Sequence, residues 1–380
     1  MVRPQVSPAS EWAQAIAANT EISSLKRAWG ELTGSFQSPI GSYEWIAASA
    51  EHLSADSDLA LIVSYAGAAV SGVAALARRR GQLAPYEHIG VDAHGEPMDF
   101  YYRDASALAQ LAKKIAESDM SLYLPKLPVE SPVYDALRSA YRGRGIVFVR
   151  PAQPCPFLPL QSETADGLER LSSSLKSDLR RGQRKAAALG PVGVEFRSPT
   201  NVQELSPLWE TLLQLESTGW KGQSRTALAY DQRMRTFFHA YALEACKSGI
   251  LQIATLKIGD RSVACHLAIE SNNRLWLLKI AYDEQFSKCS PGLLLMAETL
   301  QYATKKGLES IEFLGAAAPW TRRWTKHERQ NVSVRVYVWS PTGMLMLARD
   351  GLSLLLRRAR QFISSSRGAS PNQTDARSGT

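Results

Sequence analysis

The sequence contains few cysteines, and their spacing matches neither a metal site nor a disulfide framework. Only four occur in 380 residues, with no C-x-x-C pair and no histidines at metal-ligand spacing. Unpaired thiols in this number are typical of a reducing compartment. The sequence therefore predicts a protein without a metal site, outside the class of small disulfide-stapled secreted domains. The four are Cys155, Cys246, Cys265 and Cys289.

Long apolar runs are also lacking. No stretch of about 18 uncharged apolar residues occurs, and the N-terminus has no apolar run of signal-peptide length. Hydrophobic residues make up 45% of the chain and charged residues 21%, which is typical of a soluble globular protein. At 380 residues the chain is long enough for two domains of ordinary size. We therefore expect a cytoplasmic protein of two domains.

Acidic residues are scarce in two segments, and these segments account for the net charge of +8. Residues 176–185 hold five basic residues against Asp178, and the chain beyond residue 344 holds six arginines against Asp350 and Asp375. The rest of the chain is balanced. Such clusters indicate local anion-facing patches rather than a uniformly basic protein. On the predicted helix 171–189 the basic run is either a solvated face or a phosphate-facing stripe.

The most informative stretch runs from Leu251 to Leu314. Apolar runs at 251–256, 263–269 and 275–282 are separated by turn residues, a pattern typical of strands joined by hairpins. A loop, 283–292, then opens a predicted helix, 293–306, and a fourth strand follows at 310–314. Backbone N–H groups at a helix start attract anions, and Pro291 and Gly292 suit that position. The alternative is an ordinary strand-loop-helix connection.

The first half has a similar order of elements. Predicted strands at 59–65 and 70–76 form a hairpin, and helices at 43–53, 105–118 and 132–141 alternate with strands at 121–124 and 146–149. Further helices are predicted at 11–18, 21–32 and 207–217. We interpret the first half as a scaffold that shapes an acceptor cleft.

The domain boundaries follow from composition. We predict a first domain at 1–150, a proline-rich linker at 151–160 and a second domain at 161–342. An amphipathic helix, broken at Asp350-Gly351, is predicted at 343–363, and a disordered tail at 364–380. The apolar and basic residues of that helix suit either packing on the second domain or peripheral contact with an anionic membrane.

Four stretches in this order resemble a known family: 216–222, 279–283, 290–294, and 311–315 with 320–324. Together they resemble the CelD-like branch of the GNAT-type acetyltransferases, which is related to the FemABX peptidyltransferases. The resemblance implies an α/β fold of tandem GNAT-like domains, with mixed sheets flanked by helices and the acyl-CoA site in the second domain. Three positions depart from the family pattern. Ser287 stands where the loop pattern has Gln or Arg, Ser290 replaces a loop glycine, and Thr321 replaces a lysine.

The activity that the resemblance implies is transfer of an acetyl or other acyl group from CoA to an amine. CelD-like proteins are associated with polysaccharide biosynthesis, which suggests an amino-sugar acceptor. One alternative donor is aminoacyl-tRNA, which FemABX relatives use, and another role is that of a non-catalytic accessory protein in exopolysaccharide synthesis. We prefer CoA to tRNA because the folded part carries one compact basic segment and no coiled-coil arm.

The candidate site residues fall into three groups. His266 could accept a proton from an amine, although a core histidine is the alternative, and Lys279 needs a carboxylate partner, for which we expect Glu312. The candidates for catalysis are His266, Glu312, Tyr282 and Lys279. Those for holding acetyl-CoA are Lys288, Ser290, Gly292 and Leu293. Those for binding the acceptor are Trp220, Lys221, Asp283, Trp320 and Trp324.

Overall fold

The computed structural model describes residues 22, 24–32, 38–160, 168–218 and 228–367. Several predictions lie wholly or partly outside these residues: the helix at 11–18, the start of the helix at 21–32, the candidate site residues Trp220 and Lys221, and the tail from residue 368 onward.

Helices and strands alternate along most of the described chain. The α-helices are α1 (Lys26–Gly30), α2 (Tyr43–His52), α3 (Val91–His94), α4 (Ala105–Glu117), α5 (Val133–Ala140), α6 (Ser173–Ala187), α7 (Val202–Thr218), α8 (Gln232–Lys247), α9 (Pro291–Lys305) and α10 (Pro341–Arg367). The strands are β1 (Ser57–Ala66), β2 (Ala69–Arg79), β3 (Glu87–His88), β4 (Tyr101–Tyr102), β5 (Leu122–Pro128), β6 (Gly145–Pro159), β7 (Val192–Arg197), β8 (Leu251–Ile258), β9 (Arg261–Ser271), β10 (Arg274–Tyr282), β11 (Ser310–Glu312) and β12 (Glu328–Val338). Short 3-10 helices lie at Leu168–Arg170, Glu284–Cys289 and Thr321–Arg323.

The strands form two sheets. The smaller sheet centres on β2, which pairs with β1, β3 and β4, and the larger has the order β5-β12-β6-β11-β10-β9-β8-β7. A parallel bridge between Tyr86 and Leu122 joins the two. The larger sheet is mixed, because β10 and β11 run parallel while their other neighbours run antiparallel. This confirms the predicted α/β class with mixed sheets and flanking helices.

Strand β12 links the two halves of the chain. It comes from the end of the second half, yet it pairs with β5 on one side and β6 on the other, both from the first half. Val334, Val336 and Val338 point into the core beneath α4 and α5. The alternating valines carry a strand signal, although we predicted no strand at 328–338.

The predicted linker, 151–160, differs from the structure, because residues up to Pro159 belong to the long strand β6. We had interpreted its prolines as residues that stiffen an extended linker between the two domains. Strand β6 pairs with β12 over residues 145–156 and with β11 over 157–159, one neighbour at a time. A proline lacks an N–H and is tolerated where one side of a strand is open, so this segment can be both proline-rich and extended.

Aromatic residues from both halves share one core. Trp45 of α2 packs edge-on against Phe237 and Tyr241 of α8, with ring centroids 4.9 Å and 4.8 Å apart. Edge-to-face pairs at this distance are favourable beyond their buried area. We did not predict α8, although Asp231 caps its start and Phe237, Tyr241 and Ala245 recur every four residues on its buried face.

Helix boundaries differ from the predictions at two places. α7 begins at Val202 rather than at Pro207, because the Asn201 side chain accepts the Glu204 N–H and caps an earlier turn. The predicted break at Asp350-Gly351 is wrong, since α10 is continuous from Pro341 to Arg367. Residues 364–367, which we predicted to belong to the disordered tail, are helical as well.

Candidate active site

A cavity of about 340 Å³ opens between the end of β10, the start of α9 and the 3-10 helix Thr321–Arg323. Its walls are mostly apolar, with a few polar groups at defined places. Small-molecule sites generally combine these two features. The lining residues are His266, Ile280, Ala281, Tyr282, Ser287, Ser290, Pro291, Gly292, Leu293, Met296, Trp320, Arg323 and Trp324.

The strand pairing explains why the cavity opens here. β10 and β11 pair only from Arg274–Trp276 to Ser310–Glu312. β10 then continues to Tyr282, paired with β9 alone. Its last residues therefore offer backbone groups and side chains on the side where the β11 ladder has ended, and Ile280 to Tyr282 line the cavity.

The first turn of α9 presents a backbone donor to this cavity. Ser290 is the N-cap, and its carbonyl accepts the N–H groups of Leu293 and Leu294. Pro291 has no N–H, and the Gly292 N–H has no acceptor among the described residues. The helix dipole adds positive potential at this end, so the turn suits an anionic oxygen. A Cβ on Gly292 would lie 3.4 Å from the Tyr282 ring, so glycine keeps this approach open.

The basic helix α6 packs beside the helix start. Gly182 allows close contact, because a Cβ at that position would lie 2.7 Å from the carbonyl oxygen of Cys289. On the same helix Asp178 pairs with Arg181 and with Arg323, which lines the cavity. The basic run therefore lies next to the predicted anion site, with Arg180, Arg181, Arg184 and Lys185 exposed to solvent.

His266 lines the cavity in a defined tautomer. The single hydroxyl proton of Thr299 is donated to the Leu295 carbonyl at 2.8 Å, so its oxygen accepts Nδ1–H of His266 at 3.1 Å. Nε2 therefore carries the lone pair. It has no hydrogen-bond partner among the described residues, and His266 lines the cavity. Burial lowers the pKa of His266 to about 3, which keeps the ring neutral at pH 7.

Glu312 and Lys279 do not form the pair that we predicted. Arg329 of β12 donates Nε and Nη2 to the buried Glu312 carboxylate at 2.8 and 2.6 Å, and Ser310 adds a third donor at 2.7 Å. The ammonium of Lys279 instead lies 4.2 Å from the centroid of the Phe238 ring. The prediction failed because Arg329 belongs to a strand that we had not predicted. Neither Glu312 nor Lys279 lines the cavity.

Tyr282 and Asp283 differ in their positions. Tyr282 lines the cavity, its hydroxyl donates to Glu284 at 3.1 Å, and burial raises its pKa. Asp283 is buried away from the cavity lining. It accepts the Gln285 N–H at 3.0 Å and an Arg261 guanidinium N–H at 2.7 Å. Asp283 thus stabilises the start of the 3-10 helix Glu284–Cys289.

Of the remaining predicted residues, some line the cavity, one does not, and two lie outside the described residues. Ser290, Gly292, Leu293, Trp320 and Trp324 line the cavity. Lys288 is exposed and is not part of the lining. Trp220 and Lys221 lie outside the described residues.

Thr321 explains one departure from the family pattern. Where the family has a lysine, Thr321 is buried, accepts the Ala318 N–H and donates to the Ala318 carbonyl, each at 2.9 Å. It closes the turn that carries the two tryptophans.

Several residues near the site were not predicted from the sequence. Thr299, which fixes the tautomer of His266, stands eight residues into α9 without a motif. Glu96, in the first half, accepts the Gly315 N–H just beyond β11 at 2.8 Å, and burial raises its pKa. Arg323 lies in the stretch 320–324 that carries the family resemblance, but the sequence alone gave it no role. The structure shows that it pairs with Asp178 and lines the cavity. No group of three or more metal-ligating side chains stands together among the described residues.

Comparison with known proteins agrees with this geometry. Residues 173–322 match the family model of the acetyltransferase (GNAT) domain. That segment contains α6, the strands β7 to β11, α9 and every cavity-lining residue except Arg323 and Trp324. The GNAT part of the predicted resemblance is confirmed for this segment. No curated protein matches the sequence.

Solved structures show the same fold at low sequence identity. FemX matches with a TM-score of 0.55 and 11% identity, covering 89% of this chain and 97% of that one. L-PGS from Bacillus licheniformis matches with a TM-score of 0.52 and 12% identity, covering 82% and 91%. The C-terminal domain (DUF2156) of a protein described as a lysylphosphatidylglycerol synthetase from Agrobacterium fabrum also gives 0.52 and 12%, covering 90% and 96%. The likeness extends across both halves.

Proposed function

We propose that the protein transfers an acyl group from a CoA thioester to an amine. The observation that carries this proposal is the cavity at the start of α9, which is lined by Gly292 and by the end of β10, beyond its pairing with β11. A pyrophosphate would lie at the helix start, and the apolar walls would hold the pantetheine arm. The GNAT match over residues 173–322 supports the same reaction class.

His266 is the candidate that we assign to the acceptor amine. Its Nε2 lone pair can accept a hydrogen bond from the attacking nitrogen and hold it toward the thioester carbonyl carbon. The amine forms the new C–N bond and loses one proton, the C–S bond breaks, and the sulfur leaves as thiolate, which takes up that proton. With a pKa of about 3, His266 is a weak base, so its role is to orient a neutral amine. Glu312 is a poorer candidate because three donors occupy its carboxylate.

Aminoacyl-tRNA is the second candidate donor. The observation in its favour is the exposed basic surface of α6, which adjoins the cavity through the pair between Asp178 and Arg323. A tRNA would need phosphate contacts over a longer path than one helix. A compact basic surface beside a cavity of this size suits a single nucleotide diphosphate better, so we favour CoA. An amino sugar remains our proposed acceptor, on the resemblance alone.

Titration calorimetry with acetyl-CoA, beside filter binding of bulk tRNA near physiological salt, tests the proposal. We expect acetyl-CoA to bind and Gly292→Asp to weaken it by about thirtyfold or more, because a carboxylate would repel the pyrophosphate while suiting the helix dipole. Gly193→Asp is the matched control, since a Cβ there meets nothing within 4 Å. Micromolar tRNA binding without CoA binding would favour the aminoacyl donor. Binding of neither would favour a non-catalytic accessory role.

A further inference from the structure

Helix α10 has two apolar faces, and only one of them is packed. On the packed face Met346 is buried, and Asp350 accepts hydrogen bonds from Arg335 and from the Tyr337 hydroxyl, both on β12. Leu347 and Leu354 line the space between the helix and the sheet. This face anchors the helix on the side of β12 opposite to α4 and α5.

The other face is apolar and open to solvent. Leu345, Leu352 and Leu356 follow one another at i, i+7 and i+11, so they share one side of the helix. They are 58%, 58% and 51% exposed, and the neighbouring Leu355 is 66% exposed. Four exposed leucines within about three turns form a contiguous apolar stripe, which soluble proteins rarely leave uncovered. We refer to these four residues as the leucine stripe.

The sequence that follows the leucine stripe carries charge of one sign. From Gly351 to Arg367 the helix contains four arginines and no acidic residue. Asp350 is the only carboxylate of α10, and Arg335 and Tyr337 already occupy it. The helix continues for eleven residues beyond Leu356, roughly 16 Å. The four arginines are Arg357, Arg358, Arg360 and Arg367.

We propose that α10 lies flat on an anionic lipid surface, with the leucine stripe in the boundary between headgroups and acyl chains. An apolar stripe beside basic residues is the pattern of interfacial helices, and each arginine near an anionic surface adds attraction. A second copy of the chain fits the stripe less well, because two such helices would bring their arginines together with no free carboxylate between them. Among the described residues no helix is long and apolar enough to cross a bilayer.

Co-sedimentation of the full-length protein with vesicles tests this proposal. We expect binding to vesicles of equimolar phosphatidylglycerol and phosphatidylcholine, weak binding to pure phosphatidylcholine, and a loss on raising the salt concentration. Leu352→Ser with Leu356→Ser should lower the partition coefficient by about tenfold or more, since two leucines would no longer be buried in lipid. The matched control is Leu189→Ser with Val202→Ser, at two exposed apolar positions outside α10, and it should bind as the wild type does.

Two results would overturn the proposal. One is equal sedimentation of the wild type and the Leu352→Ser, Leu356→Ser variant with anionic vesicles. The other is a wild-type dimer in analytical ultracentrifugation that the same variant abolishes, without any vesicle binding by the wild type. That second outcome would assign the leucine stripe to a second copy of the chain. Neither result depends on whether the cavity binds CoA.

Discussion

Ser290 has the most unusual backbone in the candidate site. It adopts φ 53° and ψ 54°, the left-handed conformation that a side chain disfavours by about 1 kcal/mol or more. It also occupies the position where the family pattern has a glycine. Its hydroxyl makes no cap hydrogen bond to the helix, so the side chain gains nothing there that offsets the strain.

Ser290→Gly should therefore stabilise the protein by about 0.5–1 kcal/mol, because relief of strain exceeds the added freedom of the unfolded chain. The measurement is the urea midpoint of unfolding. Ser287→Gly is the matched control: Ser287 lies in the adjacent 3-10 helix without a positive φ, so a glycine there should destabilise. Equal destabilisation by both changes would mean that the Ser290 backbone carries no strain.

His266→Ala should reduce turnover by roughly tenfold or more while leaving acetyl-CoA affinity nearly unchanged, because the ring orients the amine rather than the donor. Thr299→Val should have a smaller effect of the same kind, since it frees the ring to change tautomer. Release of CoA from acetyl-CoA, with glucosamine as the trial amine, measures turnover. Unchanged turnover in a folded His266→Ala variant would remove this residue from the mechanism.

At the scale of elements, the position of α6 against the loop before α9 depends on one glycine. Gly182→Ala should destabilise by about 1–3 kcal/mol, because the new methyl would press on the Cys289 carbonyl oxygen. Gly351→Ala in α10 is the control. That site has nothing within 4 Å, so alanine there should stabilise by about 0.5–1 kcal/mol through helix propensity. Thermal unfolding of both variants measures these changes. If Gly182→Ala is more stable than the wild type, the close approach to Cys289 does not constrain the helix.

Elements with local signals could be predicted from the sequence, and those that depend on distant pairing could not. The hairpins β1–β2, β8–β9 and β9–β10 were predicted because turn residues mark them, and Asn272 and Asn273 do adopt positive φ. The strand β12 contributes to the first-half core, and no short-range feature announces partners almost two hundred residues earlier. We predicted the wrong partner for Glu312 for the same reason, since its observed partner, Arg329, lies on β12.

Several candidate site residues were found because a motif names them. Gly292, Ser290 and Trp324 lie in the quoted stretches, and all three line the cavity. Thr299, Glu96 and the tautomer of His266 depend on contacts between elements, which a single sequence does not record.

At the scale of the whole molecule, buried histidines make stability depend on pH. Burial lowers the pKa of both His88 and His266 to about 3, from an unfolded value near 6.5. Below pH 6.5 the unfolded chain therefore binds protons that the folded one does not, and stability falls as the pH drops toward 3. Glu87 opposes this between pH 4.5 and 7, because burial raises its pKa to about 7 and the folded state then binds the extra proton.

We therefore expect the free energy of unfolding to fall most steeply below pH 4.5, where the opposing effect of Glu87 has ended. His88→Gln should reduce the slope of the free energy of unfolding against pH by about 1.4 kcal/mol per pH unit. His327→Gln, at an exposed position, is the control and should leave the slope unchanged. Urea titrations at a series of pH values give the slopes, and equal slopes for wild type and His88→Gln would contradict the assignment.

The position of β12 between β5 and β6 has a consequence for biosynthesis. β6 ends at Pro159 and β12 ends at Val338, so 179 residues separate the two ends. At ribosomal rates of about 5–20 residues per second, the first half waits roughly 9–36 s for the strand that fills its sheet. During that time β5 and β6 each have an unpaired edge on the nascent chain. A proline-rich strand such as β6 resists pairing with other chains. The prolines that suggested a linker thus suit a strand that must stay unpaired until β12 has been synthesised, and protease protection of stalled nascent chains would locate the moment of closure.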